Sequence, residues 1–258
     1  MTGPESGRHD AASFAGSVAV LAAWVALWWV ASHGAWVSRA FLPTPEATWG
    51  SLIGGLAGGD LAAFSAGTLQ RMALGWGLAS LMGLALGVLI GVSAAARAWI
   101  APTLEFVRPL PASAVIPLAI SIFGLSGGMV LAVVAFGAMW PVLLATVHGM
   151  ATVPVQLNEM SAALELGRAA RVARIDLPQA LPDILAGMRL AMTVALIVAV
   201  VGEMIASQPG LGQAILLAAR SFRASELFAG IALLGAIGFT SNALLAVAEA
   251  RLLRWQHP

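Results

Sequence analysis

Charged residues are spread unevenly along this chain, and the gaps between them are long enough to cross a bilayer. About 20 mostly apolar residues in a helix cover the roughly 30 Å of hydrocarbon. Residues 11–38, 72–96, 109–158, 190–202 and 227–248 contain no Asp, Glu, Lys or Arg. The 109–158 gap, 50 residues long, holds two spans, with Gly124, Ser126, Gly127 and Gly128 supplying a turn between them. The pattern predicts six helices, near 14–31, 71–93, 104–124, 128–149, 184–206 and 227–250. This is an all-α, polytopic membrane protein with about six transmembrane helices. The first run, Phe14 to Ala31, reads either as a retained span or as a signal core cleaved near Ala35; its 18 residues favour retention.

Composition agrees with that reading. Hydrophobic residues make up 60% of the 258 and charged residues 10%, with a mean hydropathy of +0.91. A soluble domain would carry about a quarter charged residues. The 13 basic residues, all Arg, nearly balance 12 acidic ones, so no basic stripe exists to hold nucleic acid. Cys is absent, which removes disulfides and thiolate chemistry. His9, His33, His148 and His257 are too scattered for a metal set.

Arginine placement sets the orientation. With the N-terminus inside, Arg8, Arg97, Arg108, Arg168, Arg171, Arg174, Arg189, Arg251 and Arg254 lie on the cytoplasmic side. Arg39, Arg71, Arg220 and Arg223 lie outside, so both termini are expected in the cytoplasm. The segments are then a cytoplasmic tail (1–13), a first span (14–31), an extracytoplasmic connection (32–70), a five-span core (71–250) containing a cytoplasmic loop (150–183), and a cytoplasmic tail (251–258). Trp24, Trp28, Trp29, Trp36, Trp99 and Trp255 fall near span ends as interfacial anchors, while Trp76 and Trp140 lie deeper and are expected to pack against protein.

Within the spans, Gly75, Ala79, Gly83, Gly87 and Gly91 recur every four residues. Such a stripe lets a second backbone approach closely, as fixed packing or as a sliding surface. Pro109, Pro111, Pro117 and Pro141 break the third and fourth spans. Freed carbonyls survive in a membrane only where protein or a water-filled passage satisfies them. Glu105 and Arg108 are spaced to pair on a helix. Arg71, Arg108, Pro117 and Glu203 are the candidates for a translocation path: Arg71 either attracts an anion or anchors a helix end, and Glu203 either lines an outer vestibule or snorkels to the interface.

Residues 150–183 form the longest charged stretch. Thr152 and Pro154 signal a helix over about 154–166, ended by Gly167, with Val155, Met160, Ala163 and Leu164 toward one side. A second short helix fits Arg168–Asp176, before Leu177-Pro178. A helix–turn–helix of mixed charge between two spans has the shape of a docking element. An ion-gradient carrier would place an acid in mid-span, and an intramembrane aspartyl enzyme would need one there too. Asp176 and Asp183 instead sit in the loop or at its edge.

The segment resembles the EAA loop of ABC importer permeases, which runs Glu-Ala-Ala, three residues, Gly, nine residues, Ile-x-Leu-Pro. Glu159, Ile175, Leu177 and Pro178 fall at matching positions. Met160-Ser161 replaces Ala-Ala, and Glu165 stands where the loop Gly is expected, with Gly167 two residues later. FLPTPEATW (41–49), RPLPASAVIPLAISIFGLS (108–126) and GEMIASQPGLGQAI (202–215) are similar to the nitrate/sulfonate/taurine group of these permeases. The resemblance implies a type I ABC importer permease fold in a bacterial inner membrane and a homodimer of this chain. It implies two cytoplasmic ATPase subunits that bind ATP-Mg, and an extracytoplasmic solute-binding protein. The solute would be a small organic or inorganic anion. Glu159, Ala162, Ala163, Glu165, Gly167, Arg168, Arg171, Ile175, Leu177 and Pro178 would form the ATPase-coupling element. The chain has no phosphate-binding GxxxxGK[ST] loop, so no cofactor and no enzyme activity are expected of it.

Overall fold

The computed structural model describes residues 6–34 and 37–254; Ala35, Trp36 and Trp255 lie outside them. The described residues form eleven α-helices: α1 Ser6–His33, α2 Pro45–Ala57, α3 Leu61–Val92, α4 Ala94–Val107, α5 Ala112–Phe123, α6 Gly127–Ala151, α7 Val155–Ala163, α8 Arg168–Arg171, α9 Leu177–Ala206, α10 Leu211–Arg220 and α11 Ala224–Leu252. A π-turn, Val172–Asp176, joins α8 to α9. Five helical stretches are long and apolar enough to span a membrane, and the bent pair α4–α5 makes a possible sixth.

Three boundaries depart from the sequence pattern. The second span begins ten residues early, at Leu61, so Arg71 lies inside α3 and not at its end. The third is not one helix: α4 and α5 meet at a bend of 96°. Arg108-Pro109-Leu110-Pro111 occupies the bend, because two closely spaced prolines remove the backbone donors a helix needs there. Arg108 then sits at the C-cap of α4 and forms no ion pair with Glu105 among the described residues. Pro141, by contrast, does not break α6, which runs through it.

The helices sort into two compact units, one of α1, α2 and residues 214–233, the other of residues 63–213 and 234–254. In the first, Thr44 caps α2 by accepting from the Ala47 N–H at 3.2 Å, and Pro45 starts the helix. The indole N–H groups of Trp28 and Trp29 donate to the Pro43 carbonyl and to Glu46 Oε1, at 2.9 and 2.8 Å. A bond to its own backbone N–H, aided by Trp29, holds the Glu46 carboxyl below the usual range. The FLPTPEATW motif is thus a helix start pinned to α1.

In the second unit α6 is the core. Met129, Val130, Val134, Ala138 and Val142 are fully buried. Lipid offers no hydrophobic drive for helices to associate, so close packing at small residues must hold them. The α3 stripe supplies it: Gly83 lies against the Met139 carbonyl and Val142, and Gly87 against Thr146 and the Leu143 carbonyl. The stripe therefore packs against α6 of the same chain. From the other side α9 presents Gly187, Ala191, Ala195 and Ala199, all buried. A Cβ at Gly83 would stand 2.7 Å from the Met139 oxygen and 3.0 Å from the Leu143 nitrogen, both backbone atoms that cannot yield. Gly83→Leu is therefore expected to cost about 3 kcal/mol, read as a drop of roughly 6–12 °C in the melting temperature of purified protein.

Candidate functional site

The charged 150–183 stretch is a short helix, a tight turn, and a rigid lead into a span. α7 starts at Pro154 with no side-chain cap. It ends in a Schellman turn: the Leu166 N–H donates to the Ser161 carbonyl and the Glu165 N–H to the Ala162 carbonyl, both at 3.0 Å. That turn needs a left-handed residue, and Glu165 supplies it at φ +47°. Glu165 therefore adopts the conformation of the glycine expected there. Gly167 does not end the helix, because its φ of −62° and ψ of 154° are ordinary extended values. The other departure from the motif is also explained. Ser161 is buried, so a small side chain is required at that position, whereas Met160 is exposed and free to be large.

A left-handed backbone costs a non-glycine residue about 1 kcal/mol. Glu165→Gly should recover that, slowing amide exchange at Leu166 about fivefold, while Gly167→Ala should leave it unchanged, since no atom lies within 4 Å of the added Cβ.

After the turn the chain does not stop at Leu177-Pro178. α8, the π-turn and α9 form one helical rod, Arg168–Ala206. The Leu177 N–H reaches the Val172 carbonyl five residues back. That spacing puts residues five apart on one side, and Arg171 Nε lies 3.4 Å from Asp176 Oδ1. Ile175 and Asp176 are buried. Of the coupling candidates, Arg171, Ile175 and Leu177 face inward to some degree. Glu159, Ala162, Ala163, Glu165, Gly167, Arg168 and Pro178 are exposed. Val155, Met160 and Leu164 are exposed too, so the apolar side of α7 has no cover among the described residues.

The four path candidates do not converge. Arg71 and Glu203 pair at 2.7 Å, and Glu203 is 0% exposed. Its Oε2 also accepts from Thr68 Oγ1 at 2.9 Å and from the Gly212 N–H at 3.0 Å. Arg71 donates as well to the Pro209 carbonyl at 2.9 Å. Glu203 therefore lines no vestibule, and Arg71 is no helix-end anchor. Together they bind α3, α9 and the 207–213 segment. The GEMIASQPGLGQAI motif is this cradle; a Cβ on Gly210 would collide with the Glu203 carboxylate. Pro117 is exposed on α5 and is not among the residues of the groove that α5 helps to wall. Arg108 lines a groove of about 560 Å³ walled by α5, α6 and α9.

Sequence reasoning missed the polar rungs between α9 and α11. Arg189 pairs with Glu249, and Asn242 Nδ2 donates to Thr193 Oγ1 at 3.3 Å. Both lie on apolar gap boundaries or inside gaps, where only helix pairing makes them visible. Trp76 and Trp140 pack inward as expected: the Trp76 indole donates to the Met188 carbonyl at 2.9 Å, and Trp140 is buried.

Residues 79–254 match the family described as the binding-protein-dependent transport system inner membrane component. The chain belongs to this permease family. Relatives include a putative aliphatic sulfonates transport permease, SsuC, of Bacillus subtilis (strain 168), 32% identical over 236 residues, 90% of this chain and 84% of that one. The taurine transport system permease TauC of Escherichia coli (strain K12) is 30% identical over 246 residues, 93% of this permease and 89% of that one. The nitrate import permease NrtB of Leptolyngbya laminosa is 30% identical over 188 residues, covering 73% and 67%. Among solved structures, the MetNI methionine ABC transporter in an inward-facing form superposes with a TM-score of 0.63 at 21% identity, covering 75% of this permease and 94% of that chain. The fold is that of a type I ABC importer permease, and the relatives favour an ATP-driven importer over an ion-gradient carrier.

Proposed function

We propose that this permease carries a small organic or inorganic anion inward, working as a homodimer with two cytoplasmic ATPase subunits and an extracytoplasmic solute-binding protein. Both termini and α7 face the cytoplasm. The ATPase subunits bind ATP-Mg, and this chain only receives their motion. Glu159, Ala162, Ala163, Glu165, Gly167 and Arg168 form the docking surface, with Val155, Met160 and Leu164 as its apolar centre. Arg171, Ile175, Leu177 and Pro178 hold the lever to its span.

One observation carries the reading: the docking element is continuous with the span that walls the groove. The rod Arg168–Ala206 runs from the docking surface to Leu190, Val194 and Val201 on the groove wall. A push on α7 passes through the tight turn at 164–167 into the rod at Arg168, and the rod carries it to the groove wall. Closure of the ATPase pair then biases the permease between inward- and outward-open states, which is alternating access by population shift.

The test is to purify the permease in mild detergent with its candidate ATPase subunit and to reconstitute both with the binding protein. Copurification and ATP-dependent anion uptake are expected. Solute movement by the permease alone, or labelling of residues 155–171 from outside the cell, would overturn the proposal.

A further inference from the structure

Helix α4 has three chemically different sides. Ile100, Leu104 and Val107 are half-buried, and Leu104 and Val107 pack against the core around α6. Trp99 and Phe106 share another side and are each 82% exposed, with Pro102 and Thr103 exposed between them. Arg97, Glu105 and Arg108 make up the third. At about 100° per residue, the aromatic and charged sides lie about 155° apart, with the packed side between them. A helix lying in the plane of a membrane surface meets protein, hydrocarbon and water in that arrangement. Depth agrees. α3 is long and apolar enough to cross a bilayer, and α4 begins directly after it, at Ala94. Leu104 and Glu105 share a small cavity with Leu143, Leu144 and Val147 of α6. With Gly127, the start of α6, at one face of the bilayer, those residues lie about 24–30 Å further along the helix. That is the opposite boundary of roughly 30 Å of hydrocarbon. The 96° bend turns α4 across the direction of α5.

We propose that α4 does not cross the bilayer but lies flat in its cytoplasmic leaflet, with phospholipid as the partner of its aromatic side. Trp99 and Phe106 sink to the boundary between headgroups and acyl chains, where amphipathic helices bury such residues. Arg97 and Arg108 stand near the two ends of the charged side, where the negative surface of the cytoplasmic leaflet attracts them. Arg97 also closes the end of α3 by donating to the Gly91 carbonyl at 2.9 Å. A protein approaching from the cytoplasm would meet the charged side first, because the aromatic side is turned away from it. The choice of leaflet rests on the orientation in the importer reading. α5 starts at Ala112, just past the bend, and walls the groove with Ala112, Ser113 and Ile116. The lipid surface thereby fixes the depth at which that wall begins.

The test uses the absence of Cys from the chain. Ala95→Cys, Trp99→Cys, Glu105→Cys and Phe106→Cys each give the full-length permease one site for a nitroxide label. All four positions are exposed, so labelling leaves the packing intact. The labelled proteins are placed in vesicles of phosphatidylethanolamine and phosphatidylglycerol. Relaxation of each label by oxygen, against relaxation by a water-soluble nickel chelate, reads its depth. Labels at 95, 99 and 106 are expected at one shallow depth, within about 4 Å of each other, whereas a crossing helix would separate 95 from 106 by about 16 Å. The Glu105→Cys label is expected to be relaxed by the chelate and little by oxygen. A depth that changes steadily from 95 to 106 would overturn the proposal. So would labels at 99 and 106 that neither reagent reaches, the mark of a second protein surface over the aromatic side, or labels there that only the chelate reaches. Chelate confined to one side of the vesicles keeps the two readings apart. Level labels with the Glu105→Cys label reached only from the extracytoplasmic side would uphold the flat helix and refute the orientation in the importer reading.

Discussion

Glu203→Leu is expected to destabilise the permease by about 3–5 kcal/mol, the usual cost of removing one member of a buried ion pair. The substitution leaves the Arg71 guanidinium, whose side chain is 18% exposed, with the Pro209 carbonyl as its remaining recorded acceptor. It also strips the Gly212 N–H of the acceptor it has at 3.0 Å. Unpaired groups, and not lost attraction, dominate the penalty. Glu203→Gln keeps the shape and the bonds from Thr68 and Gly212 but loses the charge, so it should fall between wild type and leucine. The double variant Arg71→Leu, Glu203→Leu should recover much of the loss, because replacing both partners with apolar groups is often neutral. Melting temperatures of the four purified proteins give the order directly. A double variant as unstable as Glu203→Leu would show that the carboxylate does more than answer Arg71.

The partnership of Arg71 and Glu203 was legible in a pattern read only halfway. The α3 stripe at 75, 79, 83, 87 and 91 extends one step back to Arg71. The buried α9 series at 187, 191, 195 and 199 extends one step forward to Glu203. Both charges therefore lie on faces committed to protein contact, and two opposite charges on such faces pair. The α3 stripe alone did not reveal this, because the α9 series is built of alanines that composition hides among other apolar residues. The spans themselves were plain, since hydrocarbon tolerates few charges. Helix continuity was harder. Pro178 reads as a stop, yet it lies inside the rod, and the π-turn that precedes it is the local adjustment that lets the helix run past a missing N–H. Pro141 likewise reads as a break but is absorbed inside α6. Only at 108–111, where two prolines leave no run of donors between them, does the backbone turn away. Glu165 was the reverse case. The motif demanded a glycine, and the fold imposed the glycine conformation on a glutamate.

Glu159→Arg is expected to lower ATP-dependent uptake at least tenfold while leaving membrane insertion and melting temperature unchanged. The two effects separate because Glu159 is exposed on α7 and makes no ion pair among the described residues, so folding does not use it. On the proposed docking, its charge serves the partner. Reversing a charge at an interface sets like against like, which costs several kcal/mol in unfavourable cases, and every 1.4 kcal/mol is tenfold. Arg171→Glu provides the contrast. Arg171 is half-buried against Asp176, so reversal there strains the lever itself and should lower the melting temperature as well as uptake. Measuring both variants for uptake, ATPase activity in the reconstituted assembly and thermal stability separates a damaged contact from a damaged rod. Normal uptake with Glu159→Arg would remove α7 from the contact. A large drop in its melting temperature would instead make Glu159 part of the fold. If ATP hydrolysis persists while uptake is lost, the ATPase still runs, and what has failed is transmission into the rod that ends at Ala206.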